Sequence, residues 1–185
     1  ATNTATTCTI SRAYTLVSRP VIAADSYANG AGNTQYAAGG YAPAPTTPVV
    51  SSATNILAND GGPAGMTATL VGAPASGTLM LNADGSFLFT PSPGVGGTIS
   101  FTYKVTSNGV DSATSATVSI VLAGEVWYVN SGAAAGGTGI SSSPFNNLAS
   151  ADAASGVNDV IYVHTGAGQT PGSIMLEAGQ TLWGQ

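Results

Sequence analysis

Charge is what this chain has least of: Asp, Glu, Lys and Arg make up 6% of its 185 residues, and positive charge is confined to Arg12, Arg19 and Lys104. Scattered cations of that kind form no basic stripe able to track a phosphate backbone, so no nucleic-acid partner is expected. No apolar run is long enough to span a bilayer, and no segment has the charged start and apolar middle of a secretory signal. Membrane insertion is therefore not expected, and the chain reads as mature or as a fragment. The single cysteine, Cys8, has no internal disulfide partner and no companions for a metal site; it reads as a small, buried or half-buried strand residue. With a net charge of −5, solubility rests on hydroxyls and backbone, or else neighbouring domains or subunits cover part of the surface.

What is present is strand and turn chemistry. In Gly77-Thr78-Leu79-Met80-Leu81-Asn82-Ala83-Asp84-Gly85-Ser86-Phe87-Leu88-Phe89-Thr90, Leu79, Leu81, Phe87 and Phe89 recur at every second position on either side of an Asn-Ala-Asp-Gly turn. That period of two is the mark of a half-buried hairpin. Further strands are predicted over residues 34–38, 49–56, 66–71, 99–106 and 113–122, with turn residues between them, which argues for a sandwich. Phe87, Phe89, Phe101 and Tyr103 are its expected anchors, each large apolar side chain contributing about 1.5–3 kcal/mol on burial. Over residues 28–48, Gly30, Gly32, Gly39, Gly40, Pro43, Pro45 and Pro48 punctuate too densely for a long regular element. Between residue 38 and Leu57 the connection expands into a loop where binding would sit.

The order Leu57-Ala58-Asn59-Asp60, Gly77 to Pro91, Ser100-Phe101-Thr102-Tyr103-Lys104-Val105 and Ala116-Thr117-Val118-Ser119-Ile120-Val121 resembles the bacterial immunoglobulin-like or cadherin-like tandem repeat of large surface adhesins. The resemblance spans residues 20–123 and implies an immunoglobulin-like β-sandwich. It also implies calcium held at domain junctions, for which Asp25, Asn59 and Asp60 occupy matching positions. Plain turn chemistry is the competing role for Asn59, Asp60, Asp84 and Gly85. Calcium needs about six to eight oxygen ligands, and the carboxylates here are few.

After Gly124 the character changes. Val126-Trp127-Tyr128-Val129-Asn130 reads as a strand, residues 131–143 as a Gly- and Ser-rich loop, and Phe145, Leu148 and Ala151 recur at the spacing of a short helix. Together with Asp159-Val160-Ile161-Tyr162-Val163-His164 and Gly179-Gln180-Thr181-Leu182-Trp183-Gly184, this order resembles the opening coils of a right-handed parallel β-helix of the pectate-lyase-like type. Such coils need a further layer to bury their faces, so the natural chain is expected to continue. Trp127 and Trp183 are expected to fill the junction and the coil interior, with sugar stacking as the other role.

The acids of this part, Glu125, Asp152, Asp159 and Glu177, share no motif, whereas glycoside hydrolysis needs a facing pair. Asp159 suits a turn cap, and His164 stands alone without a nucleophile or second ligand. No enzyme activity is expected.

The expected fold is therefore all-β: an N-terminal strand over residues 1–19, a sandwich over 20–123, and over 124–185 the start of a right-handed parallel β-helix with one short helix. The N-terminal strand is either the end of a preceding repeat or an arm donated to a neighbouring subunit. The expected role is that of a stalk or presenter in a large secreted or cell-surface bacterial protein. Partners would be neighbouring domains or subunits, reached through sheet edges and coil stacking, and a cell-surface or glycan ligand. Two alternatives remain: a self-assembling extracellular filament joined through residues 1–18, and the N-terminal part of a polysaccharide-active enzyme.

Overall fold

A computed structural model describes residues 18–185. Cys8 and all but the last two residues of the expected N-terminal strand lie outside that range, and so does the donor arm except for Ser18.

Apart from one short helix, every regular element of the described chain is a β-strand. Its elements are β1 (Asp25–Gly32), β2 (Gln35–Ala38), β3 (Val49–Ser52), β4 (Thr67–Gly72), β5 (Thr78–Leu81), β6 (Phe87–Thr90), β7 (Gly97–Ser107), β8 (Val110–Asp111), β9 (Ala116–Val129), α1 (Leu148–Ala154), β10 (Val160–Val163) and β11 (Thr181–Gly184). One sheet runs β3-β2-β6-β5; the other runs β11-β10-β9-β7-β4, with β1 on β9 and β8 on β7.

The predicted hairpin is β5–β6, with Leu79 opposite Phe89 and Leu81 opposite Phe87. Its turn closes through Asn82 N–H to Ser86 O (2.8 Å) and Gly85 N–H to Asn82 O (3.0 Å), while Asp84 Oδ1 accepts from Ser86 N–H at 2.9 Å. Inward residues of the two sheets interleave: Phe87, Phe89, Tyr103, Val105, Val118 and Ile120 are fully buried. Tyr27, Tyr36, Phe87 and Phe101 meet in a chain of ring contacts, three of them edge-on. That arrangement suits the ring quadrupoles.

Two elements differ from expectation. The glycines at 30 and 32 argue against a regular element, yet β1 runs through both. The reason is close approach: a Cβ on Gly30 would lie 2.7 Å from Val121 O, so only glycine lets β1 come alongside β9. The strands expected at 113–122 and 126–130 are one strand, β9, of 14 residues.

Beyond residue 125, β9, β10 and β11 lie parallel in register, Trp127 beside Ile161 and Leu182, Tyr128 beside Tyr162 and Trp183. Helix α1 starts at Asn147, whose side chain accepts from Ser150 N–H, and packs Ala151 and Leu148 against Val129 and Ile161. Trp127 is buried and stacks on Phe145 at 5.9 Å between centroids. Trp183, expected in the coil interior, is 55% exposed. Alternation along β11 sends its neighbour Leu182 to the Ile161 side and Trp183 to the opposite, outer face.

Candidate functional site

The residues singled out for calcium converge, but on a tyrosine. Asp25 opens β1, Asn59 and Asp60 lie in the turn after Leu57, and Tyr103 reaches them from the middle of β7. The Tyr103 hydroxyl lies 2.8 Å from Ile56 O, 3.0 Å from Asp25 Oδ2, 3.0 Å from Asp60 Oδ2 and 3.3 Å from Ala23 O. Around it, Asp60 Oδ1 accepts from Ala23 N–H (2.8 Å) and Asn59 Nδ2 donates to Ala24 O (3.0 Å). A hydroxyl has one proton to give, so four surrounding acceptors leave it electrostatically short.

Protonation of a carboxyl relieves that shortage. Burial pushes the Asp25 carboxyl up from 3.8 to about 6; its hydrogen bond with Tyr103 opposes the rise and the Asp60 charge adds to it. A protonated Asp25 donates to the phenol oxygen, which then donates onward to Ile56 O or Asp60. The Tyr103 hydroxyl itself is pushed well above the usual phenol range by burial and by the two carboxylates.

As arranged, the set does not fit a calcium ion. The point where the oxygens meet is filled by the phenol oxygen, and Asp60 already has both carboxylate oxygens engaged. Among the described residues no group of three His, Cys, Asp or Glu is placed to hold a metal. Beside the cluster lies a hollow of about 240 Å³ lined by Asp25, Ser26, Thr54 and Asn59. The expanded loop, where binding was expected, borders a larger hollow of about 390 Å³ against Tyr41, Pro45 and Val49.

A second polar cluster, absent from the sequence-based expectations, lies where the sandwich meets the parallel strands. Asn33, Thr34, Gln35 and Ser141 are all buried. Thr34 Oγ1 and the Tyr128 hydroxyl are 2.8 Å apart, Ser141 N–H donates to Asn33 O (2.8 Å), and Gln35 N–H donates to Ser141 Oγ (3.0 Å). Asp159 acts as the expected cap, its Oδ2 accepting from Gly156 N–H at 2.8 Å, and it also accepts from Trp127 Nε1 at 2.9 Å. Glu125 and Asp159, which share no sequence motif, are brought together by the β9–β10 register. Burial first, and then the Asp159 charge, raise the Glu125 carboxyl above its ordinary range. His164 packs edge-on to Tyr162 at 4.9 Å.

A two-sheet sandwich fastened at its entry by a Tyr-carboxylate cluster, with no converging catalytic set among the described residues, defines an all-β module. Residues 19–124, more than half of the chain, match the family model of the bacterial cadherin-like domain, and the chain belongs to that family. No curated protein matches it.

Proposed function

We propose that the chain is a stiff structural and adhesive module of a large secreted or cell-surface protein, in which the cadherin-like sandwich carries the opening coils of a right-handed parallel β-helix. One observation supports this above all: β9 belongs to both parts. Its pairing with β1 ends at Glu125 and its pairing with β10 begins at Val126. No unpaired linker separates the two, and the buried Asn33–Ser141 cluster braces the seam. A joint of this kind transmits orientation, which a stalk or presenter requires. The division between residues 20–123 and 124–185 then falls inside a continuous strand, at Gly124.

The extracellular setting is supported by the family, whose domains occur in extracellular proteins. No helix among the described residues is long and apolar enough to cross a membrane. A non-catalytic role is supported by how the acids are used: Asp152 Oδ1 accepts from Met175 N–H (3.0 Å), and Asp159 holds Gly156 and Trp127.

Calcium at Asp25, Asn59 and Asp60 is a separate proposal that requires Tyr103 to leave the centre of the cluster. A rise in melting temperature on adding calcium at neutral pH, lost in Asp60→Asn, would support it; an unchanged melt would count against it.

Small-angle scattering tests the module reading. The expected profile is that of one rigid body, changing to that of two independently moving parts when a flexible Gly-Ser segment is inserted after Gly124. An unmodified chain that already scatters as two moving parts overturns it.

A further inference from the structure

The outer face of the parallel strands carries two columns of side chains, packed into the junction at the β9 end and open to solvent at the β11 end. In the first, Tyr128, Tyr162 and Trp183 stand level on β9, β10 and β11. In the second, Asn130, His164 and Gln185 stand level one step further along each strand. The pairing continues that far, since His164 N–H donates to Val129 O (2.8 Å) and Gln185 N–H donates to Val163 O (3.0 Å). Adjacent rungs are about 4.8 Å apart, comparable with the length of one hexose ring.

Exposure rises across the aromatic column. Tyr128 is buried, its hydroxyl 2.8 Å from Thr34 Oγ1 at the seam; Tyr162 is half-buried; and Trp183 is 55% exposed. Tyr128 and Tyr162 lie 5.8 Å apart, and His164 lies 4.9 Å from Tyr162 and 6.0 Å from Tyr128. The rings are therefore braced from the junction outward, and Trp183 offers its surface to solvent.

We infer that this face binds an uncharged polysaccharide, with sugar rings stacked on Trp183 and Tyr162 and hydroxyls met by the His164 imidazole and the Gln185 amide. Apolar ring faces beside a row of neutral donors and acceptors match a sugar, which presents C–H faces and hydroxyl edges together. The charge pattern selects the class. Neither column contains Asp, Glu, Lys or Arg, and the whole chain has three cations against eight acids. An acidic glycan would meet net repulsion and no cation to pair with. Among the described residues β11 is the last strand of its sheet; its outer edge lies in the plane of the sheet and not out of this face, so further pairing at that edge leaves the platform open. The inference rests on reading the chain as a presenting module and gives that module a ligand class.

The test uses the intact chain with soluble β-glucan, mannan and galactan as neutral probes and polygalacturonate as the acidic one. Trp127 is buried and Trp183 exposed, so acrylamide quenching of the tryptophan emission reports mainly on Trp183. The expected result is protection by at least one neutral probe and, in affinity electrophoresis, retardation weakened about tenfold by Trp183→Ala or Tyr162→Ala, ~1.4 kcal/mol. Trp183→Phe should restore most of the binding. Protection by polygalacturonate alone, by none of the probes, or by self-association of the chain overturns the inference. If the chain scatters as one rigid body yet no neutral probe protects Trp183, the platform fails while the stiff-module reading stands.

Discussion

Tyr103 is the residue on which the entry of the sandwich turns. Its hydroxyl ties Ile56, Asp25, Asp60 and Ala23 to the middle of β7, across sequence separations of 47, 78, 43 and 80 residues. The Asp25 carboxyl titrates near 3.8 when unfolded and near 6 when folded. Between those values the folded state holds more protons, so the stability Asp25 contributes is complete below about pH 3.8 and is lost as pH rises through about 6. Asp25→Asn, which keeps an amide donor at all pH values, is expected to melt like the parent at about pH 4 and above it at about pH 7.5. Equal melting temperatures at both pH values would remove the proton from the cluster. Asp25, Asn59 and Asp60 were legible as a group only through the resemblance to the bacterial cadherin-like repeat, whose motif positions they match; turn chemistry alone does not link Asp25 to the other two. Tyr103 was legible only as a core residue, since period-two alternation gives the side a residue faces and not what its hydroxyl meets.

At the scale of elements, β9 is the decisive one. Gly124 lies inside it at φ +69°, where the strand leaves the sandwich and enters the parallel stack, and a Cβ there would meet nothing within 4 Å. The only penalty for a side chain is thus the left-handed backbone itself, about 1–2 kcal/mol. Gly124→Ala should lower stability by that amount in chemical denaturation; no change would mean that the bend is not held in solution. The two strands either side of Gly124 were visible in the sequence, but their continuity was not. A glycine between two apolar runs ordinarily signals a break. Here the backbone bends without losing its partners, because β10 takes up pairing where β1 stops. The glycines of β1 misled in the same way: they serve close approach to β9, a contact made nearly a hundred residues further along the chain.

For the whole molecule, the question is whether the sandwich and the parallel strands behave as one body. The Thr34–Tyr128 hydroxyl pair crosses the seam at 2.8 Å and is buried. A double-mutant cycle with Thr34→Val and Tyr128→Phe should give a coupling energy of about 0.5–1.5 kcal/mol. A coupling near zero would mean that the two parts do not hold this contact in solution. Local signals by themselves determined the β5–β6 hairpin, most of the other strands, the helix at residue 148 and the sandwich class, because alternation, turn residues and caps act over a few neighbours; they missed β1, the unity of β9 and the early end of β3 at Ser52. Tertiary structure alone decided the rest. Register between distant strands placed Trp183 on the outer face with Leu182 on the opposite one, brought Glu125 to Asp159, set a phenol among two carboxylates, and let one strand serve both parts of the chain. Those outcomes depend on which backbones pair, and a linear pattern of side chains does not specify the partner.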